Sequence, residues 1–414
     1  MPDSVLSVGK CGAGSTSRAG MRGILLGEFA VARLLLLSLS PIASDPRVMR
    51  QYGALKDEHE VHVLGFGERP PGVLHFTSVE QTRADRKGVL RNALRLAFRR
   101  YDAYYWQHPQ IRALEKSAAQ VPAGFDMVLA NDVMALPMAL RLAGNAPVWL
   151  DAHEYAPREF EDLWAWRTLL GPFFDATCRD ALPRVARMST VCTGIAREYE
   201  RCYGVPVSVM PNCPEPERLP VRPTHAERIR LIHHGAAIAS RKIEVMIDLM
   251  DHLDDRFSLD LMLMEQDPAY LATLKQRAAR HSRIRFIPPV PMRDIAAHTN
   301  GYDIGLFLLP PTNFNYLHAL PNKFFEFMQA RLAIAIGPSP EMQALVTELG
   351  CGVVSGSFEA ADLAAHLSRL TPQDIDAMKR ASDSASQRFN AAATRQWLRD
   401  EVRGLLADRA CLVH

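Results

Sequence analysis

Two residues one helical turn apart carry the most chemistry in this sequence. In LPNKFFEFMQA (320–330), Pro321 and Asn322 stand where a helix would begin, Lys323 falls in its first turn, and Glu326 follows three residues on. Side chains three or four apart share a helix face. A cation and a carboxylate therefore project together from a helix N-terminus, where backbone N–H groups and the helix dipole already favour an anion. The pair suits a ligand with a phosphate at one end and a vicinal diol nearby, and a sugar nucleotide has both. The same spacing also describes an ordinary Lys–Glu pair on a surface helix. Phe324, Phe325, Phe327 and Met328 weigh against that reading, because they make the helix apolar over most of its circumference. Such a helix is buried, and a buried Lys and Glu need partners.

A second cationic feature is HHGAAIASRK (233–242). Gly235 is expected to end a strand, a small-residue loop to follow, and Arg241 and Lys242 to open a helix. Two cations there oppose the helix dipole unless an anion sits between them; simple solvation at the surface also accounts for them. His233 and His234 are neighbours on a strand, point to opposite faces and do not share one metal ion.

The elements that must position these residues follow from apolar patterning. Residues 33–40 (RLLLLSLS) read as a buried strand, 48–55 as a helix and 59–66 as the next strand, the alternation of a parallel α/β sheet. The rhythm continues with strands at 125–130, 147–150, 188–192 and 207–210 and helices at 135–142 and up to 203. Residues 211–228 carry five prolines and no apolar periodicity, which marks a linker. The rhythm then restarts, with strands at 229–233, 258–264, 284–287, 302–308 and 333–336. Helices are expected at 243–253, 270–280, 323–330 and 342–349, and over 374–406 with a break near Phe389 and Asn390. Two doubly wound sheets joined by a hinge face each other across a cleft, and ligands of such sheets bind beyond the C-terminal strand ends.

Three loops of the first half lie at such ends. The first, 41–47, holds Asp45 and Arg47, although a turn with a helix cap explains it equally well. Asn131 and Asp132 follow the third strand and could also be a cap. DAHEYAP (151–157) places His153 and Glu154 among acidic residues, the best position in this half for a polar contact to a ligand.

Composition sets the outer limits. The 414 residues suffice for two or three domains, and 48% hydrophobic with 23% charged content is ordinary for a globular protein. A net charge of +2 argues against a dedicated nucleic-acid binder. Seven cysteines without a C-x-x-C pair argue against a disulfide framework or a zinc site and fit a reducing compartment. No apolar run reaches ~18 residues, so no transmembrane helix is expected. Residues 1–23 are rich in Gly and Ser and read as disordered, with Met21 an alternative start. The run 24–39 is interrupted by Glu28 and Arg33, which disfavours an export signal.

In this order, SPIASDPRVMRQ, LDAHEYAP, VMPN, HHGAAIASRK and LPNKFFEFMQARLAIAIGPSPEM resemble the retaining glycosyltransferases of the GT-B fold, group 1 or family four. The resemblance spans about residues 33–405. It implies an α/β fold of two Rossmann-like domains and a cytoplasmic transferase of the hexosyltransferase kind. Such an enzyme takes a sugar from a nucleoside diphosphate sugar, with no cofactor and no metal, and passes it to a glycan, lipid-linked or small-molecule acceptor, as in cell-envelope polysaccharide biosynthesis. The implied division is an N-terminal extension at 1–31, an acceptor-side domain at 32–210, the linker at 211–228, a nucleotide-sugar domain at 229–388, and a helix at 389–414 placed to pack back on the first domain.

Glu326 matches the family's ribose-binding acid, Arg241 takes the slot of the diphosphate lysine, Lys323 resembles the lysine of the P-x-K variant, and His153 matches the histidine that reaches the donor sugar. His153, Arg241 and Lys323 are thus the catalytic candidates. Gly235, Arg241, Lys242, Asn322, Lys323 and Glu326 are the donor-binding ones, and Asp45, Arg47, Asn131, Asp132 and Glu154 are candidates for the acceptor side of the cleft. In the family the leaving phosphate is thought to help take the acceptor proton, so no protein base is assigned. Four positions depart from the pattern. His318 stands at the earlier acidic position, Ala236 where an Arg is usual, and Arg331 and Ala333 where Gly and Pro are usual. These departures keep open a degenerate GT-B protein that acts as a binding or partner subunit.

Residues 83–106 suggest a contact with the inner face of the plasma membrane. Lys87, Arg91, Arg95 and Arg99 are spaced by four, with Leu90, Leu94, Ala97 and Phe98 largely on another face and Tyr101, Tyr104, Tyr105 and Trp106 following. A basic amphipathic helix with aromatics suits a membrane surface. A solvated helix packed by its leucines fits the same pattern.

Overall fold

The computed structural model describes residues 31–413. The N-terminal extension, except for its last residue, and the alternative start at Met21 lie outside the described residues. Leu34–Leu37, in the middle of the run weighed as an export signal, form the buried centre of a sheet. The first sheet contains β1 (Arg33–Pro41), β2 (Glu60–Phe66), β3 (His75–Val79), β4 (Met127–Asn131), β5 (Val148–Ala152), β6 (Arg187–Thr190) and β7 (Ser208–Val209), all parallel, in the order β3-β2-β1-β4-β5-β6-β7. The second contains β8 (Ile229–Ala237), β9 (Phe257–Glu265), β10 (Ile284–Phe286), β11 (Ile304–Phe307), β12 (Ala333–Ile336) and β13 (Gly352–Val354), also parallel, in the order β10-β9-β8-β11-β12-β13. Each sheet reverses direction once, between β1 and β4 and between β8 and β11. Those are the switch points where α/β sheets hold ligands.

The near-continuous apolar strands are buried on both faces by helices, as parallel sheets require. Four elements differ from expectation. Strand β8 runs on through Gly235 to Ala237, because His233 and His234 are buried by neighbours and behave as strand residues. The helix expected from Arg241 starts at Glu244 and is five residues long. The short edge strands β3 and β13 lack the apolar runs that would have announced them.

The helix Pro372–Arg388 ends at Phe389, and Ala391–Val413 returns to the first sheet. There Trp397 meets Trp149 edge to face at 5.6 Å, and Arg403 pairs with Glu58 at 2.9 Å. Among the described residues no helix is long and apolar enough to cross a membrane.

A buried ion pair lies within the second half, and Thr224 of the segment 211–228 hydrogen-bonds to it. Lys379 Nζ lies 3.1 Å from Asp303 Oδ1 and 3.5 Å from Thr224 Oγ1, and Asp303 Oδ2 accepts the Arg230 N–H at 2.8 Å. Removing one partner strands the other charge away from water. Asp303→Ala should therefore cost about 3–5 kcal/mol of stability. A urea unfolding midpoint that falls in this variant and recovers in part when Lys379→Met is added checks the pair.

Candidate active site

The helix Asn322–Gln329 forms as its sequence suggests. Pro321 holds an extended backbone (φ −79°, ψ 159°) and accepts the Phe324 N–H at 3.0 Å; no side chain caps the N-terminus, so the N–H groups of Asn322 and Lys323 stay available. Phe324, Phe325, Phe327 and Met328 are fully buried in the core. Phe327 lies flat over Gly305 of β11, where an added Cβ would sit 2.3 Å from the ring. This packing fixes the helix and buries Lys323 and Glu326, which are 7% and 5% exposed.

Lys323 is the unusual member. Its Nζ has no hydrogen-bond partner and rests over the Phe307 ring at 4.4 Å, a favourable cation–π position. Burial, and then the Arg241 charge, hold its pKa well below the ordinary lysine value, with Glu326 opposing. Gly235 shows where Lys323 and Arg241 meet. It has φ +132°, and an added Cβ would sit 3.0 Å from Lys323 Nζ and 3.5 Å from Arg241 Nη1. The glycine leaves room at the point where two cations converge.

Arg241 ends a single 3-10 turn, Ala239–Arg241, and Nη1 donates to the Ala236 carbonyl at 3.3 Å. Lys242 has φ +50°, is exposed and does not line the cleft. The expectation that Lys242 and Arg241 flank an anion at a helix N-terminus is therefore corrected. Arg241 lies on a turn, and Lys323 rather than Lys242 stands beside it.

Glu326 faces His234 Nε2 at 3.4 Å. Burial pushes the Glu326 carboxyl up to about 7 against the pull of Lys323 and Arg50, and burial with Lys323 pushes His234 down to about 3. His233 Nδ1–H donates to the Leu306 carbonyl at 2.9 Å. Its Nε2, His234 Nε2, Arg50 Nη2 and Asn212 Oδ1 are buried without partners. Buried polar groups are normally satisfied, so this group around Lys323 is poised for something polar. Arg50 and Asn212 escaped the sequence reading because a side chain's reach across a hinge leaves no local signal, although both lie in the segments SPIASDPRVMRQ and VMPN.

The cleft between the sheets holds a cavity of about 350 Å³ that is lined from the second half by Arg241, Asn322, Lys323 and His318 and from the first by Asp45, Arg47, His153 and Glu154. Asp45 caps the helix Pro46–Leu55 through the N–H groups of Arg47 and Val48. Arg47 is buried, bonds Asp151 through Nε at 2.5 Å and Nη2 at 2.6 Å, and donates to the Met210 carbonyl at 2.9 Å. Both line the cavity, but their polar groups are engaged in holding the first half together.

His153 is held from three sides. Nε2 lies 3.2 Å from Asn131 Oδ1 and 3.7 Å from Asp151 Oδ2, and Nδ1 lies 3.4 Å from Asp132 Oδ2. Burial lowers the imidazole pKa, but Asp132 and Asp151 outweigh it and raise the value above the ordinary one. Asn131 and Asp132 thus orient His153. Asp132 takes φ +67° to do so and accepts the His153 N–H at 3.0 Å. Glu154 also lines a second cavity of about 390 Å³, with Asn131, Asp132, Glu159 and His108. Glu154 is exposed at the cleft edge, and crowding by the surrounding walls, then Glu159 and Asp132, push its carboxyl up from the ordinary value.

His318 lines the cleft with Nδ1 3.1 Å from Glu341 Oε1. Glu341 also accepts the N–H groups of Thr193 and Gly194 at 3.1 and 2.8 Å, which ties the second half to the first. Arg331 has φ +61°, the conformation that favours glycine, and is anchored by Asp383 at 2.7 Å and the Glu217 carbonyl at 2.7 Å. Among the described residues no group of three or more His, Cys, Asp or Glu is placed to hold a metal.

No protein-family model and no curated protein matches this chain. Solved structures do. HepE (Alr3699) of Anabaena in complex with UDP and glucose superposes with a TM-score of 0.63 at 13% identity, covering 90% of this chain and 100% of that one. Sucrose-phosphate synthase from Thermosynechococcus elongatus gives 0.66 at 14%, covering 91% and 100%. An alpha,alpha-trehalose-phosphate synthase (UDP-forming) from Burkholderia vietnamiensis gives 0.64 at 12%, covering 91% and 100%. At these identities the likeness is one of fold: the chain has the two-sheet α/β architecture of GT-B glycosyltransferases.

Proposed function

We propose that this chain is a glycosyltransferase that moves a sugar from a nucleoside diphosphate sugar to a glycan, lipid-linked or small-molecule acceptor, with retention and without a bound metal. The observation that carries this reading is the meeting of Lys323 Nζ and Arg241 Nη1 over Gly235 in a cleft. The cations have space between them for a diphosphate, and Glu326 stands one helical turn away for the ribose hydroxyls. The neighbour solved with UDP and glucose favours a UDP-sugar.

The chemistry follows from charge. Negative charge grows on the diphosphate as the glycosidic bond breaks. Lys323, Arg241 and the uncapped N–H groups at Asn322 are fixed in advance where that charge develops, which lowers the barrier without reorganisation. His153, oriented by Asn131, Asp132 and Asp151, donates to a hydroxyl of the donor sugar from across the cleft. In a retaining reaction the acceptor approaches on the face the leaving group occupies, so a departing phosphate oxygen can take its proton and no protein base is needed. The second cavity, beside Glu154, is the acceptor side.

Glu326→Ala removes a bidentate acceptor for two hydroxyls, and UDP-sugar affinity should fall about 10- to 100-fold, or roughly 1.5–3 kcal/mol. Calorimetry on the folded variant tests this, and unchanged affinity would rule out the ribose role.

Lys323→Ala and Arg241→Ala should each lower turnover about 100- to 1,000-fold with little loss of stability, and EDTA should leave the wild type unaffected. Binding also has a proton signature. An arriving diphosphate raises the depressed Lys323 pKa, so a proton is taken up. Glu326, with its pKa of about 7, is ionised throughout at about pH 8.5. UDP titrations at that pH in buffers of different ionisation enthalpy should show net uptake that Lys323→Ala abolishes. A divalent-metal requirement at the chemical step would overturn the metal-free mechanism.

His153→Ala should lower kcat while free UDP binds nearly as before. Equal loss of UDP binding and stability would mark it as a structural residue.

A further inference from the structure

The helix Arg86–Ala97 is turned with its apolar side outward. Its buried seam is Gly88, Asn92 and Leu96. Leu90, Leu94 and Phe98, spaced by four, are 64%, 49% and 73% exposed. A helix packed by its leucines would show the reverse. The following aromatics do not join this face: Tyr104 and Tyr105 are buried in the core, which corrects that part of the sequence reading.

A second segment extends the exposed face. The turn Trp166–Leu170 packs against the helix Arg86–Ala97, and just before it Leu163 and Trp164 are 55% and 69% exposed. Around these apolar side chains stand Arg86, Lys87, Arg91, Arg95, Arg99 and Arg100, none of which has a carboxylate within 4.0 Å among the described residues. Arg99 takes φ +54°, where glycine would be less strained, so a cation stands at the helix end despite the backbone cost.

We propose that this face docks on an anionic lipid bilayer, with Leu90, Leu94, Phe98, Leu163 and Trp164 entering the interface and the arginines and Lys87 meeting lipid phosphates. Charge complementarity selects the bilayer over a protein partner. A protein interface sets charges of both signs against each other, whereas six cations of one sign without carboxylate partners, interleaved with apolar side chains, suit a uniformly anionic headgroup layer. The docking follows from the surface alone. Its meaning for the acceptor rests on the glycosyl-transfer reading: Thr82 and Glu159, next to the two segments, line the second cavity, so docking sets that cavity beside the membrane and favours an amphiphilic acceptor.

The full chain should co-sediment with vesicles of phosphatidylcholine containing about 30% phosphatidylglycerol and remain in the supernatant with phosphatidylcholine alone, and high salt should release it. Removing Arg91 or Arg99 should weaken binding about fivefold each. Phe98→Glu with Trp164→Glu should abolish it while thermal unfolding and UDP binding stay unchanged, both positions being exposed. Recovery in the supernatant with anionic vesicles at low salt overturns the proposal. So does a wild-type dimer that Phe98→Glu dissociates and that ignores vesicles, which would make the face a protein interface. Vesicle binding without any UDP binding would leave docking intact and remove the glycosyl-transfer reading instead.

Discussion

The first half is organised around one carboxylate that water does not reach. Asp151, at the end of β5, accepts two hydrogen bonds from Arg47 and one each from Gln51 and Ser189, and lies beside His153. Burial alone would raise its pKa, but the Arg47 charge and hydrogen bonds reverse the sign and hold it well below the usual carboxylate range. A buried ion is tolerable only when its lone pairs are all claimed. Meeting that demand draws together the helix Pro46–Leu55, strands β5 and β6, and the end of the linker strand at Met210. His153 takes its place from this arrangement.

The second half shows the opposite condition. Lys323 is also buried but has no hydrogen-bond partner, and its nearest charges are a like charge and a carboxyl that is itself pushed toward neutrality. One buried group is fully answered and the other is not: Asp151 lies inside the first half behind Arg47 and His153, and Lys323 lines the cleft from the second. Asp151 holds its surroundings together, and on the reading proposed above Lys323 is left for the donor diphosphate.

The sequence made the βα alternation, the linker and the start of the signature helix legible, because each rests on local periodicity or on proline. Strand β12 was expected at 333–336 and lies at Ala333–Ile336. Strand β8 was cut short, since two adjacent histidines look polar until tertiary partners bury them. Lys323, Glu326 and Arg241 could be singled out from spacing and type. The meeting of Lys323 and Arg241 over Gly235 could not, because it depends on a positive φ and on a turn replacing a helix. The union of Arg47 and Asp151 spans 104 positions and leaves no local trace. For Asp45, the cap that competed with a cleft role is what the structure shows, although it lines the cavity as well.

The chain crosses between the two halves twice, and the crossings lie side by side. The Ala391 N–H donates to the Pro214 carbonyl at 2.7 Å, and Arg395 pairs with Glu215. The linker and the return to the closing helix therefore form a double strap on one side of the molecule. A single tether would leave three rotations free. Two tethers close together suppress twist and leave mainly bending about the line that joins them. A rotation that widened the cleft would turn about that line, as a door turns on its hinges, and would carry the wall of His153 away from the wall of Lys323 along a single arc.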